Sequence, residues 1–296
     1  MRLIGSLFLI CTIAISQPLE ERLKTHIGGF EGTVSLYAKN LESGATVGLR
    51  QAEAVRTAST IKLPIMLAVF DAVARGKVHW SDLLTVNHTD RVSGSGVIGN
   101  EISNGVKLPV ADVVHLMMVL SDNTATNMLL EKFNADSVNA FLDSLGLKTT
   151  RAMRKIRGDG NQLKDASGFS KAGLLPENQK YGIGVSTPRD MVWILENLDK
   201  GAIVSPEASK EMLNIMTRCQ DDTGVRRRLG GIKIANKTGA LDALRSDVAL
   251  VYSKRGKIAI AITVDGMPKI DYSPNNVGSL LIADLAKMIV DDLSKK

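Results

Sequence analysis

The chain has 296 residues, of which 44% are hydrophobic and 23% are charged. This composition is typical of a folded globular protein with a sizeable core, and it excludes a disordered or fibrous chain. The net charge of +6 is small for this length, and aromatic residues make up only 4% of the chain. Because few rings are present on which bases could stack, we do not expect a nucleic-acid partner.

The N-terminus has the pattern of a secretory signal peptide. Arg2 precedes an apolar stretch that Gln17 and Pro18 bring to an end. That stretch is shorter than the roughly 20 residues needed to cross a bilayer, so cleavage is predicted rather than a membrane anchor. We therefore expect residues 1–16 to be removed and the mature protein to be secreted, periplasmic or extracellular, without a membrane segment. Only Cys219 then remains, so no internal disulfide is expected.

The predicted elements begin with strands and then change to helices. Alternation over residues 33–49, with a turn at 42–44, predicts a β-hairpin. From residue 59 to about residue 200 the apolar spacing becomes helical. Within this stretch we predict helices that begin at Ser59, after Pro109, after Asn127 and after Thr187.

Strands return after residue 230. Segments 232–239, 246–253 and 257–264 read as strands, and a helix from about 277 to 293 closes the chain. This order predicts an α/β lobe made of residues 17–57 and 205–296, with an all-helical lobe of residues 58–204 inserted between them. A small-molecule site is expected in the cleft where the lobes meet.

Three short motifs stand out, and the first and the last of them follow the points where the chain crosses between the predicted lobes. Ser59 and Lys62 form S-x-x-K at a helix start, where positions i and i+3 share a face and lie within reach of one another. Alone, this pair fits a helix cap and a solvated charge better than a nucleophile and its base. Residues 121–123 add S-D-N and residues 237–239 add K-T-G. Together, and in this order, the motifs favour a catalytic serine activated by a lysine of lowered pKa.

With these motifs the chain resembles a class A β-lactamase from about residue 30 to its C-terminus. The SDNTATNMLL run and the order of strands and helices fit the same family. The resemblance implies a β-lactamase/transpeptidase-like α/β fold, with an antiparallel five-stranded sheet flanked by helices and an inserted all-helical lobe. It also implies a monomeric serine β-lactam hydrolase that acts on a small-molecule β-lactam and needs no cofactor or metal.

The resemblance assigns a role to each matching residue. Ser59 is expected to attack the lactam carbonyl while Lys62 accepts its proton, and Ser121 is expected to pass a proton to the leaving nitrogen. The backbone amides of Ser59 and Ala240 are expected to form the oxyanion hole. The remaining substrate-binding positions are Asn123, Lys237, Thr238 and Arg245. For Arg245, a structural pairing with Asp247 fits the sequence equally well.

One part of the family pattern is absent. The family carries a glutamate in an E-x-x-L-N setting of an omega-shaped loop, where it activates the water that releases the acyl-enzyme. No E-x-x-L-N follows Arg151 in this sequence. The available bases are Asp159, Asp165, Glu177 and Lys62. Three alternatives therefore stay open beside the β-lactamase. They are a slowly deacylating penicillin-binding protein, a serine D-Ala-D-Ala peptidase, esterase or amidase of the same fold, and a non-catalytic β-lactam-binding module.

Overall fold

The computed structural model describes residues 17–156 and 168–294. The predicted signal peptide, residues 1–16, lies outside these ranges, and so do Asp159 and Asp165. In the described part of the chain, no helix combines the length and the apolar character that a membrane crossing requires.

In the described residues, the strands form one large and two small antiparallel sheets. In chain order they are β1 (Thr33–Asn40), β2 (Thr46–Leu49), β3 (Val55–Arg56), β4 (Leu83–Thr85), β5 (Lys107–Pro109), β6 (Arg151–Ala152), β7 (Gly184–Ser186), β8 (Ile234–Leu241), β9 (Leu244–Ser253) and β10 (Gly256–Asp265). The large sheet has five strands in the order β2-β1-β10-β9-β8, and every neighbouring pair is antiparallel. The predicted hairpin, the three later strands and the five-stranded sheet are confirmed.

The helices cover this sheet and fill the space beside it. In chain order they are α1 (Leu19–Ile27), α2 (Lys62–Ala74), α3 (Ile98–Glu101), α4 (Val110–Val119), α5 (Asn123–Phe133), α6 (Ala135–Ser144), α7 (Pro188–Asp199), α8 (Pro206–Thr217) and α9 (Val277–Leu293). The closing helix and the start of α7 agree with prediction, whereas α1 and α8 were not predicted as helices.

Two predicted helix starts need correction. The helix placed after Asn127 begins at Asn123, because the Asp122 carboxylate caps it by accepting a hydrogen bond from the Ala125 amide at 2.8 Å. Ser59 lies in a 3-10 turn, Ala58–Ile61, and α2 starts only after that turn. The nucleophile candidate is therefore on a tight turn that leads into a helix.

Successive side chains along the central strands point to opposite faces of the sheet, and both faces are buried. On β10, the small side chains Ala259 and Ala261 belong to the core that also contains α2, α4 and α8. Ile258 and Ile260, which alternate with them along the strand, face the opposite core, where α1 and α9 pack. The helix α7 packs across β10 and β1 on the face that carries these small residues. The predicted lobe boundary at residue 204 falls between α7 and α8 and stays a prediction.

Candidate active site

A cleft of about 730 Å³ brings the three sequence motifs together. It is lined by β8, by the turn before α2 and by the junction of α4 and α5. Predicted site residues that line this cleft are Ser59, Ser121, Asn123, Lys237, Thr238 and Ala240. Segments more than a hundred residues apart in sequence thus meet around one space large enough for a small substrate.

The Ser59 turn is held close against β8. Ala58 has a φ of 46°, a left-handed conformation that residues other than glycine rarely adopt. A Cβ on Gly239 would lie 2.8 Å from the Thr57 carbonyl oxygen and 3.0 Å from the Ser59 amide nitrogen. Glycine at position 239 therefore allows β8 to run directly beside the Ser59 backbone. The half-buried Ser59 side chain lines the cleft at this point.

Lys62 is fully buried and makes its hydrogen bonds to the S-D-N segment. Its Nζ donates to the Ser121 carbonyl oxygen at 2.6 Å, to Ser121 Oγ at 3.2 Å and to Asn123 Oδ1 at 2.9 Å. Within residues 17–156 and 168–294, the Ser59 hydroxyl makes no hydrogen bond, to Lys62 or to any other group. The expected proximity of Ser59 and Lys62 thus does not extend to a direct hydrogen bond.

The environment of Lys62 destabilises its charged form. Burial lowers the pKa of Lys62 well below its usual value of 10.5, and the positive charge of Lys237 lowers it further. The Asp122 carboxylate acts in the opposite direction. Burial also lowers the pKa of Lys237, although its surroundings include anionic groups that oppose the shift. Both buried lysines therefore have pKa values below those of exposed lysines.

The Ser121 hydroxyl connects these two lysines. Lys237 Nζ donates to Ser121 Oγ at 2.9 Å and to the Thr238 carbonyl oxygen at 2.8 Å, while Lys62 reaches the same Oγ from the other side. A serine hydroxyl has two acceptor lone pairs and one proton, so both lone pairs are used here. The proton of Ser121 is left for donation to a group in the cleft.

The neighbouring Asp122 fixes the S-D-N segment in place. Its Oδ1 caps α5, and its Oδ2 accepts hydrogen bonds from the amides of Val97 at 2.6 Å and Ile98 at 2.9 Å. A Cβ on Gly96 would lie 2.3 Å from the Asp122 carboxyl group. One buried carboxylate thus ties the start of α5 to the loop at residues 94–98. Gly94 and Ser95 of that loop line the cleft.

We expect Asp122→Ala to lower the free energy of unfolding by about 2 to 4 kcal/mol, because three backbone amides lose their acceptor. A suitable control is Ser205→Ala, which removes one cap bond to the Ala208 amide and should cost about 1 kcal/mol. Urea unfolding of both variants measures the difference. Equal losses would show that the contacts of Asp122 with the 94–98 loop add nothing to stability.

The amide of Asn123 is engaged on both sides. Its Oδ1 accepts from Lys62, and its Nδ2 donates to the Ser93 carbonyl oxygen at 3.1 Å. Asn123 therefore links the buried lysine to the rim of the cleft. A substrate that accepts a hydrogen bond from Asn123 Nδ2 must therefore compete with the Ser93 carbonyl oxygen.

Sequence analysis missed a carboxylate that contacts the K-T-G strand. Thr238 Oγ1 donates to Asp221 Oδ2 at 2.7 Å. Of the described residues that line the cleft, Asp221 is the one carboxylate. It belongs to the segment between α8 and β8, which carries no recognisable motif, so only the folded chain reveals its position.

Arg245 does not pair with Asp247, which corrects the alternative left open by the sequence. Its guanidinium stacks over the Tyr272 ring, with 4.9 Å between the Arg245 Cζ and the ring centroid. It donates to the backbone carbonyls of Leu241, Leu244 and Asp271. Arg245 lines a smaller cavity of about 230 Å³, to which Thr238 and Asp221 also contribute. Asp247 instead accepts from the Val225 amide at 2.8 Å, and burial raises its pKa to about 7.

The structure does not bring Glu177 into the cleft. Glu177 is exposed on the 3-10 helix Pro176–Tyr181 and is absent from the described lining. Ile156, in the segment that follows β6 in the chain, lines one side of the cleft. Its amide donates to Asn127 Oδ1 at 2.7 Å, and its carbonyl oxygen accepts from Asn127 Nδ2 at 3.1 Å. The apolar side chain of Ile156 is therefore held beside the site by the hydrogen bonds of its backbone to Asn127.

A family model described as the beta-lactamase enzyme family matches residues 18–293 of this chain. The chain belongs to this family. The class of enzyme predicted from the motifs is thereby confirmed, and the β-lactamase/transpeptidase-like fold agrees with the solved structures it resembles. The protein is a hydrolase of the β-lactamase type.

Similar proteins cover nearly the whole β-lactamase domain. The beta-lactamase regulatory protein BlaB of Streptomyces cacaoi is 24% identical, over 93% of this chain and 96% of its own length. A β-lactamase structure from Sphaerobacter thermophilus DSM 20745 has a TM-score of 0.79 and 26% identity, covering 93% of this chain and 96% of that chain. A point mutant of PBP-A, solved as an acyl-enzyme complex with penicillin G, has a TM-score of 0.79 and 28% identity, covering 94% of this chain and 97% of that chain.

Proposed function

We propose that this enzyme hydrolyses β-lactams through an acyl-enzyme formed on Ser59. The observation that carries the proposal is the Ser121 hydroxyl, which lies between two fully buried lysines in the cleft that Ser59 lines. Membership of the beta-lactamase enzyme family supports the reaction type. The PBP-A mutant, with its acyl-enzyme complex with penicillin G, supports the kind of intermediate.

In the proposed acylation step, Ser59 Oγ attacks the lactam carbonyl and its proton passes to neutral Lys62. The backbone amides of Ser59 and Ala240 donate to the oxyanion that forms. The carbon–nitrogen bond then breaks, and the nitrogen takes the proton of Ser121. Lys62 returns a proton to Ser121 along the hydrogen bond already present between them. The lowered pKa of Lys62 supports both of its steps, since it can accept a proton and release it again.

Binding of the substrate is assigned to polar groups on two walls of the cleft. Asn123 would hold the amide side chain of the substrate. Lys237 and Thr238 would face its carboxylate, because a cation and a hydroxyl on one strand form charge-assisted hydrogen bonds to that group. Arg245 would contribute positive charge from the adjoining cavity rather than a direct bond, since its guanidinium is committed to backbone carbonyls.

We also propose that residues 1–16 are removed on secretion and that the mature enzyme acts as a monomer. The apolar N-terminal stretch and the small residues before Gln17 support cleavage there. Intact-mass measurement of the exported protein should give a chain that begins at Gln17, and sedimentation should give a single-chain mass.

The acyl-enzyme is tested by mixing the purified protein with benzylpenicillin and recording its intact mass over time. We expect an adduct of one penicillin, mapped by peptide digestion to Ser59, together with repeated turnover of a chromogenic cephalosporin. An adduct on another residue, or no reaction with either compound, would rule the proposal out.

A slowly deacylating penicillin-binding protein is the second candidate, and the apolar Ile156 favours it. None of the described groups on that side of the cleft can activate water for release of the acyl group. Under this alternative the Ser59 adduct persists, the cephalosporin gives one stoichiometric burst, and a D-Ala-D-Ala peptide is cleaved faster than any lactam.

A further inference from the structure

Tyr272 is an exposed aromatic residue at the edge of the cleft. The residue is 62% exposed, and it lines both the main cleft and the smaller cavity beside it. Among the large hydrophobic residues that the described part of the chain exposes, Tyr272 is the one that lines the main cleft. Ligand sites are lined mainly by apolar and aromatic side chains, so a ring at this position can bind part of a substrate.

The Tyr272 ring is held in position before any ligand binds. Its hydroxyl donates to Asp242 Oδ1 at 2.7 Å. The Arg245 guanidinium lies over the ring, with 4.9 Å between the Arg245 Cζ and the ring centroid. The carbonyl oxygen of the preceding residue, Asp271, accepts hydrogen bonds from Arg245 and from Asn276 Nδ2, the second at 2.8 Å. A ligand that contacts this ring therefore loses little affinity to ordering the side chain.

The part of a substrate that would reach Tyr272 follows from the proposed binding mode. Thr238 and Ala240, on β8, line the smaller cavity together with Tyr272. The substrate carboxylate is assigned to Lys237 and Thr238, so the atoms next to that carboxylate would lie beside this cavity. In a cephalosporin, the carbon beside the one that bears the carboxylate carries a variable substituent. That substituent is the group that would extend toward Tyr272.

We propose that Tyr272 binds a flat aromatic substituent at this end of the substrate and so determines which lactams bind best. The inference rests on the proposed function, because it places the substrate carboxylate against β8. Arg245 covers one face of the ring, so an aromatic substituent would pack against the other face or the edge. Aromatic pairs in offset or edge-to-face contact bind more strongly than their buried area alone accounts for. This contact adds to the attraction of the substrate carboxylate by Lys237 and does not compete with it.

The test compares two cephalosporins that have the same acylamino side chain. One carries a phenylthiomethyl group on the carbon beside the carboxylate-bearing carbon, and the other carries a methyl group there. Calorimetric binding in a Ser59→Ala background measures affinity without reaction. Because the two ligands share the carboxylate and the lactam ring, a difference between them reports on the substituent.

Two variants separate the ring of Tyr272 from its hydroxyl. Tyr272→Leu keeps an apolar side chain without the ring, and Tyr272→Phe keeps the ring without the bond to Asp242. The matched control is Tyr181→Leu, because Lys180 Nζ lies 5.1 Å from the centroid of the Tyr181 ring, and Tyr181 is outside the described lining of the cleft. Thermal melting reports whether each variant is folded.

We expect Tyr272→Leu to weaken binding of the phenylthiomethyl compound by about fivefold and binding of the methyl compound by less than about twofold, because only the first ligand loses an aromatic contact. Tyr272→Phe should keep the affinity for both compounds within about twofold, since the ring is retained. Tyr181→Leu should change neither affinity.

An equal effect of Tyr272→Leu on the two ligands, the same loss in Tyr272→Phe as in Tyr272→Leu, or an equal effect of Tyr181→Leu would overturn the inference. Failure of the proposed function would differ from these results. The unaltered enzyme would then form no Ser59 adduct with either compound, the Ser59→Ala protein would bind neither, and the inference would fail with it. Binding of both compounds without dependence on Tyr272 would reject the aromatic contact and leave the proposed function standing.

Discussion

Replacement of Lys62 by methionine is expected to slow acylation of Ser59 by at least about 10³-fold, because it removes the group that we propose accepts the serine proton. Methionine has a similar length, so the buried space stays filled. The Ser121 carbonyl oxygen and Asn123 Oδ1 each lose a donor, however. Rapid-quench mass spectrometry of the acyl-enzyme measures the rate, and melting temperature reports whether the fold survives.

Two further measurements separate proton transfer from charge in the Lys62 experiment. Lys62→Arg keeps the positive charge but cannot release a proton, so it should be nearly as slow as Lys62→Met. In the unaltered enzyme, acylation should rise with pH through a pKa well below 10.5, because the neutral amine is the reactive form. That rise should disappear in Lys62→Met. Lys233→Met, at an exposed lysine, is the control. Acylation by Lys62→Arg within tenfold of the unaltered enzyme would contradict the assigned role.

Replacement of Ile156 by glutamate is expected to shorten the lifetime of the Ser59 adduct by at least about 10²-fold. Ile156 lines the cleft, and Asn127 holds its backbone through two hydrogen bonds, so a carboxylate there would face the acyl group from a fixed position. A positioned general base contributes about 10²- to 10⁴-fold to such a step. The lifetime is read from the decay of the penicillin adduct in intact-mass spectra.

The controls for Ile156→Glu are Ile156→Gln, which has the same shape without the charge, and Ile156→Leu, which keeps the apolar lining. Neither should accelerate deacylation. If the glutamine variant releases the acyl group as fast as the glutamate variant, access of water rather than a base is the limiting factor. If the unaltered enzyme already releases its adduct within seconds, another residue performs this step.

The motifs made the main candidate residues of the cleft predictable because each motif lies at or near the end of an element. Ser59 precedes a helix, Ser121 follows one, and Lys237 lies on a strand, so a pattern of a few residues was enough to place them. Asp122 also carried a usable signal, since an aspartate before an apolar run marks a helix start, and attention to it would have corrected the start of α5.

Other parts of the site depend on contacts that no local pattern records. Asp221 matters because the chain folds back to place its carboxylate against Thr238, and this contact spans 17 residues. Ile156 matters because Asn127, from a different helix, holds its backbone. The hydrogen bonds of Arg245 to three carbonyls follow from the geometry of the strand end and its neighbouring loop. The expected pairing with Asp247 failed because Asp247 is buried against the Val225 segment instead.

The small side chains on one face of β10 have a consequence for how the enzyme meets its substrates. Through Ala259 and Ala261, the sheet shares one continuous core with α2 and α4. The two walls of the cleft therefore cannot swing apart without exposing apolar surface to water. The width of the cleft is therefore fixed before a substrate binds, so the protein loses little conformational entropy on binding. Selectivity among lactams should then follow their size and charge, and loss of the fold should remove both walls in a single cooperative transition.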